Sequence, residues 1–350
     1  MAPSTEIAGY EIMGTLGYGA RSTIFAVKDR KNQVFALKRV IRSSPEDQRF
    51  VDQAEHEHNV AQQFNHPSLR KSYKIIRSRN MLGMRTNEVM VLMEFIDGVT
   101  LEQMPPQTLQ ELVRIFQDTA IALGVMARSG YVHADIKPNN ILLTNRDMVK
   151  VIDFGQSCPI GTVKERIQGT PDYIAPEQVR RKPITPQTDI FNLGATMYWA
   201  LTGDHVPTMI PKGLQKRDGG KHVISRPSDL PKFPSPREQN SAVPPALSSL
   251  VMNCLENDPR ERPQSMTQLY ERMELAINQF MHESKFARRR FKPGQIESLH
   301  QSSMVEVNSG SSVFGVNDSD AGQSKGIYDS GVFRPEDIID HDRRKKDDDK

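Results

Sequence analysis

Tyr131-Val-His-Ala-Asp-Ile-Lys-Pro-Asn-Asn-Ile-Leu-Leu143, followed shortly by Asp153-Phe154-Gly155, decides how the rest of the chain is read. It gathers Asp135, Lys137, Asn140 and Asp153 into one short span, spaced by apolar runs that read as strands. Two acids, a cation and an amide so close together suit a metal-bound polyphosphate. Asp135 can accept a proton from an attacking hydroxyl. Asn140 and Asp153 offer hard oxygen ligands to Mg²⁺, and Lys137 can neutralise charge on the group in flight.

The order His-x-Asp-x-Lys-Pro-x-Asn, then Asp-Phe-Gly, resembles the catalytic and magnesium loops of the eukaryotic-type Ser/Thr protein kinases. The roles just given follow that family's general pattern. The resemblance implies an α+β, two-lobed fold: an antiparallel β-sheet with one helix over about 9–96, and a mainly α-helical lobe over about 97–281. Residues 1–8 are then a lead-in. ATP with Mg²⁺ is expected between the lobes, its γ-phosphoryl passing to Ser or Thr hydroxyls of protein substrates.

Composition sets outer bounds. The chain has 350 residues, 37% hydrophobic and 25% charged, enough for two lobes with cores and an appendage. A net charge of +3 argues for neither nucleic acid nor a membrane surface as partner. Cys158 and Cys254 stand in no metal-ligand spacing, which suggests a reducing compartment. No apolar run reaches about eighteen residues and no signal-peptide core opens the chain, so a soluble, cytoplasmic protein is expected.

From Tyr10 to Val40 apolar and polar residues alternate around Gly and Asp-Arg-Lys-Asn breaks, predicting antiparallel strands. Gly17-Tyr-Gly19-Ala-Arg-Ser22-Thr-Ile24 forms the first turn, where glycines let backbone N–H groups close over phosphates. It is similar to the family's glycine loop, with Ser22 for the third Gly and Ile24 for Val. Lys38 in Phe35-Ala-Leu-Lys38 resembles the strand lysine that holds the α- and β-phosphates. The next segment predicts a helix: Phe50, Ala54, Ala61 and Phe64 recur at steps of three and four. Glu57 falls in that apolar stripe and needs a partner there, whereas Glu55 lies on the polar face with His58 and Asn59. The expected ion pair is Glu57 with Lys38. Ala61 and Ser72 stand where the family stacks larger apolar residues, which predicts looser packing of this helix.

Val89 to Ile96 predicts a buried strand leading to Asp97-Gly98; by resemblance, Met93 is the gatekeeper and Glu94 to Ile96 form the hinge at adenine. The nucleotide-binding set implied is Leu16, Gly17, Tyr18, Gly19, Ala20, Ile24, Ala36, Lys38, Met93, Glu94, Ile96 and Leu142. Ile24, Ala36 and Leu142 would sandwich adenine. The implied catalytic set is Asp135, Lys137, Lys38 and Glu57, with Asn140 and Asp153 on the metal.

Leu109 to Ala127 carries a helical period that stops at Ser129-Gly130. Gly169-Thr-Pro-Asp-Tyr-Ile-Ala-Pro-Glu177 is similar to the family's substrate loop and Ala-Pro-Glu motif, and Thr170 with Lys137 fits the Ser/Thr branch. Asp189-Ile-Phe-Asn-Leu-Gly194 runs into an apolar helix that should be buried; its leading Asp is expected to anchor the catalytic loop. Phe191 and Asn192 replace the more usual Trp and Ser. Residues 204–244 predict loop with one short helix. Leu247, Leu250, Val251 and Cys254 then predict an amphipathic helix. Arg262 stands where the family pairs an arginine with the Ala-Pro-Glu acid, here Glu177. Ser265-Met-Thr-Gln268 predicts a capping box for the last helix.

From 282 to 350 Ser, Gly, Asp and Lys dominate and a disordered tail is expected. Arg288 to Arg290 reads as a docking patch for partners or as a solvated charge run. Ser312-Val-Phe-Gly315 and Ser330-Gly-Val-Phe-Arg334 look alike, as a motif used twice or by chance. The chain's style is similar to bacterial members of the family.

Two other functions are weighed. A pseudokinase scaffold binding nucleotide and partners would have lost one of Lys38, Asp135, Asn140 or Asp153, and all are present. A small-molecule phosphotransferase would lack the Glu177 and Arg262 segments. The main departure is Ala134, which replaces the Arg that usually precedes the catalytic Asp and pairs with a loop phosphate. Activity without activation-loop phosphorylation is therefore expected, with Ser157 and Thr162 the acceptors between Gly155 and Gly169.

Overall fold

A computed structural model describes residues 6–19, 21–79, 86–146, 148–208, 210 and 232–283. Ala20 and the tail from 284, with its basic run and paired peptide islands, lie outside the described residues. The chain divides into two compact units. One holds the residues up to Asn65 and Arg70–Asp97; the other holds His66–Leu69 and the chain from Gly98.

The first unit is a sheet with one helix. Strands β1 (Glu6–Ile7), β2 (Tyr10–Gly19), β3 (Ser22–Lys28), β4 (Val34–Ile41), β5 (Ser72–Arg79) and β6 (Thr86–Glu94) pair antiparallel in the order β1-β2-β3-β4-β6-β5 among the described residues. Side chains of a strand alternate between faces, so β4 serves two cores. Phe35 and Leu37 pack with Val27, Met90 and Leu92. Ala36 and Val40 pack on the other face with Val89, Val91, Met93 and with Val51 and Ala54 of helix α1 (Gln48–Ala61). Lys38 shares the period of Ala36 and Val40, so it points to the helix face. The alternation of β4 and the helical period of α1 together bring Lys38 to Glu57.

Both small residues expected to weaken the packing of helix α1 are buried. Ala61 is buried, and Ser72 is buried with hydrogen bonds in place of apolar packing. Ser72 Oγ meets His58 Nδ1 at 2.7 Å, and Gln62 donates to the Ser72 carbonyl. His58, expected on the polar face, is therefore half-buried against β5, and burial beside Arg77 lowers its pKa. Glu55 stays on the outer side, where it accepts from Arg77 Nε at 2.6 Å.

In the second unit β7 (Gly98–Thr100), β9 (Ile141–Thr144) and β10 (Val149–Val151) form a small sheet in the order β10-β9-β7. β8 (Tyr131–Val132) pairs with β11 (Cys158–Pro159). Helix α2 (Leu109–Arg128) is capped by Thr108, whose hydroxyl accepts from Glu111 N at 3.1 Å, and ends before Gly130 at φ 83°. Helices α3 (Pro176–Val179), α4 (Pro186–Thr202), α5 (Pro236–Gln239), α6 (Pro245–Cys254) and α7 (Met266–Glu283) follow. Every residue of α4 from Thr188 to Leu201 is buried, as expected from the apolar run over 195–201, and the polar residues among them are hydrogen-bonded. α6 crosses α4 closely at Gly194, where an added Cβ would lie 2.5 Å from Cys254 Cβ. The cap of α7 differs from a reciprocal box. Gln268 N donates to Ser265 Oγ at 3.1 Å, but Gln268 Oε1 accepts from Gln264 N at 2.6 Å, one residue before the capping serine.

Candidate active site

In the first unit Lys38 Nζ donates to Glu57 Oε2 at 2.6 Å. Glu57 Oε1 is taken by Arg70, a residue that no period in the sequence marks. A buried carboxylate is thus divided between two cations, one oxygen each, which offsets its desolvation. Around this pair Ala36 and Met93 are buried and Leu16 and Ile24 pack partly against them, so four of the expected nucleotide contacts share one apolar cluster. Gly17 pairs with Ile24 and Gly19 with Ser22 across β2 and β3, and Tyr18 is 62% exposed. A Cβ at Gly19 would fall 2.5 Å from Ser22 Oγ, so that turn takes no larger residue without rearrangement. Glu94 N donates to Lys71 O at 2.9 Å, while its carboxylate accepts from Lys71 N at 3.1 Å; Ile96 is half-buried.

In the second unit the backbone carries Asp135 into a cluster of oxygens and cations. Thr170 donates to Asp135 Oδ1 twice, from its N–H at 3.0 Å and its hydroxyl at 2.9 Å. Lys137 Nζ donates to Thr170 Oγ1 at 2.8 Å and stands 3.5 Å from Asp135 Oδ2. Burial works against the Lys137 charge, but Asp135 and Asp153 more than offset it and raise its pKa. Asn140 Nδ2 donates to the Asp135 carbonyl at 2.8 Å, which fixes the amide and turns its oxygen away from that carbonyl. Asp153 adopts φ 65°, ψ 78°, and its Oδ1 accepts from Gly155 N at 3.2 Å. Leu142 lies half-buried on β9, opposite Lys150 and Thr100.

The loop before Asp135 is anchored from α4. Asp189 accepts from His133 N at 2.8 Å and from Ala134 N at 2.7 Å. Burial pushes Asp189 up to about 6, against the pull of His133 and of these two N–H groups. His133 donates through Nε2 to Ile152 O at 3.1 Å and accepts at Nδ1 from Asp135 N at 3.3 Å, a tautomer assigned from its backbone partners. Ala134 holds φ 63° and is buried with Val132, Cys158 and Ile184, so an apolar cluster fills the place where an arginine was the expected norm.

The segment after Asp153 is pinned without added charge. Ile160 N bonds Gly130 O at 2.9 Å, Gly161 N bonds Ile184 O at 2.8 Å, and Ile184 N bonds Thr162 O at 2.9 Å. Lys164 Nζ donates to Gln156 O at 2.6 Å, and burial lowers its pKa. Ser157 is fully buried with its hydroxyl on His133 O. Further along, Arg262 grips Glu177 with both terminal nitrogens, and Thr188 Oγ1 donates to Glu177 Oε1 at 2.8 Å. Gln178, which the sequence did not single out, bonds four groups around this loop.

Among curated proteins the chain is similar to a probable serine/threonine-protein kinase of Clostridium acetobutylicum, 26% identical over 83% of this chain and 43% of that protein. It is 29% identical to the serine/threonine-protein kinase PknB of Mycobacterium leprae over 74% of this chain and 42% of the relative. The serine/threonine-protein kinase pkn3 of Myxococcus xanthus is 27% identical over 73% of this chain and 48% of the relative. The chain therefore spans less than half the length of these relatives. Among the described residues no helix is long and apolar enough to cross a membrane. The protein kinase domain model matches residues 10–273, and with its antiparallel sheet unit and helical unit this chain belongs to the protein kinase family.

Proposed function

We propose that the chain is a protein serine/threonine kinase that transfers the γ-phosphoryl of ATP to protein hydroxyls, its kinase domain running over about residues 9–281. The observation that carries this reading is the hydroxyl of Thr170 held at once by Asp135 and Lys137. It marks a place where a hydroxyl sits within reach of a carboxylate that can take its proton and a cation that can screen the transferring group. Lys38 and the Gly17–Gly19 backbone would hold phosphates, with Glu57 orienting the lysine. Ile24, Ala36, Met93, Glu94, Ile96 and Leu142 would take adenine.

Mg²⁺ fits the residues available. The Asn140 oxygen and the Asp153 carboxylate are hard donors, and two protein ligands leave room for phosphate oxygens and water, as this cation prefers. When bound it would neutralise charge on the phosphates. A nucleotide-binding scaffold without turnover is disfavoured because Lys38, Asp135, Asn140 and Asp153 are all in place. Activity independent of a loop phosphate is in keeping with the buried Ala134 cluster and with the pinning of residues 160–162. Two buried free cysteines are in keeping with a reducing compartment such as the cytoplasm.

The test is incubation with γ-labelled ATP, Mg²⁺ and peptides offering Ser, Thr or Tyr. Label on Ser or Thr alone is expected. Label on Tyr alone, or on small molecules alone, would overturn the substrate class.

A further inference from the structure

Gln178 is 3% exposed on α3, one residue past Glu177. A primary amide has two donors and room for two acceptor contacts, and here all are used. Nε2 donates to Ala134 O at 2.8 Å and Gln168 O at 3.3 Å. Oε1 accepts from Ala175 N at 2.9 Å and from Asn192 Nδ2 at 3.1 Å. The backbone partners decide the amide's orientation, since a flip would set its oxygen against two carbonyls and its NH₂ against an N–H. Neither Glu nor Met can satisfy this set.

The two carbonyls it binds flank the reacting groups. Ala134 is the residue before Asp135 and holds φ 63°, a conformation that persists in a non-glycine residue only when its surroundings over-determine it. Asp189 fixes its N–H and Gln178 its C=O. Gln168 lies two residues before Thr170, whose N–H and hydroxyl meet Asp135 Oδ1. Asn192 Nδ2 also donates to Tyr173 O at 2.6 Å, so the same network reaches the far side of that loop.

We propose that Gln178 is a positioning residue for phosphoryl transfer, its amide setting the spacing between Asp135 and the Thr170 loop. Acting through those two, it governs the alignment of the attacking hydroxyl and leaves nucleotide binding untouched. The inference rests on the kinase reading above.

The experiment compares wild type with Gln178→Glu and Gln178→Met, measuring kcat on a Ser/Thr peptide, KM for ATP and melting temperature. Glu keeps the acceptor and loses both donors; Met loses both. Misalignment should lower kcat about tenfold or more while KM for ATP stays within about twofold. A kcat that falls by less than about threefold in folded variants, or a loss shared by ATP affinity, overturns the proposal and makes Gln178 structural. Should neither variant fold, Gln178→Asn decides by the same kcat and ATP criteria, since it keeps a neutral amide but draws its donors back from Ala134 O and Gln168 O. An inactive wild type would instead contradict the kinase reading itself.

Discussion

Arg262 holds Glu177 through two parallel hydrogen bonds, Nη1 to Oε1 at 2.8 Å and Nη2 to Oε2 at 2.9 Å, with both side chains buried. The guanidinium also donates to Gln187 O and Glu256 O, each at 2.8 Å, and lies 4.9 Å from the Phe191 ring centroid. Arg262→Ala would leave the carboxylate buried with Thr188 as its remaining side-chain hydrogen bond among the described residues. A loss of about 3–5 kcal/mol is expected, read as a lower denaturant midpoint at unchanged slope. An unchanged midpoint would contradict burial of the pair.

Glu57 is shared by two cations, one oxygen each, and the proposed phosphate contact belongs to Lys38, so the substitutions should separate. Lys38→Met leaves Glu57 bound to Arg70, and stability should change by about 1 kcal/mol or less while turnover falls on the order of 10²-fold. Glu57→Gln leaves two cations facing a neutral amide and should cost more stability than Lys38→Met. Thermal melts beside initial rates check this; equal melting losses would contradict the divided carboxylate.

Thr162 is the accessible acceptor of its loop, because Ser157 is fully buried. Phosphatase-treated protein and Thr162→Val should both keep initial rates within about threefold of the untreated wild type. A loss above about tenfold, close to 1.4 kcal/mol of transition-state stabilisation, would show that a loop phosphate matters despite Ala134.

Asp189 gives a pH signature. Its folded pKa of about 6 lies above the ordinary value for Asp, so between about pH 4 and 6 the folded state binds more protons than the unfolded one. This group's contribution to stability therefore falls as pH rises through that window, by about 3 kcal/mol in all. The observable is the difference in unfolding free energy between wild type and Asp189→Asn against pH, which cancels the other carboxylates. It should shift in favour of the Asn variant as pH rises from 4 to above 6. A flat difference would contradict the burial cost.

Much of this was legible in the sequence where a period or a motif carries it. The family pattern picked out Lys38, and helical phase chose Glu57 over Glu55 as its partner. The family pattern paired Arg262 with Glu177. What stayed hidden depends on contacts between distant segments. Arg70 follows a loop and has no periodicity to betray it, and Gln178 finds Ala134 across 44 positions. Ser72 read as too small for its place because the family stacks a larger apolar residue there, whereas His58 and Gln62 supply hydrogen bonds instead.

Proton transfer from a protein hydroxyl to Asp135, as phosphate leaves ATP, is the chemical step proposed for this site. Its most direct measurement is the initial rate of label transfer from γ-labelled ATP to a Ser/Thr peptide, in wild type and in Asp135→Asn, with Mg²⁺ present. The wild type should transfer label, and the variant should be slower by on the order of 10²-fold or more while still folded. Equal rates in the two proteins, or no transfer by the wild type, would contradict the account.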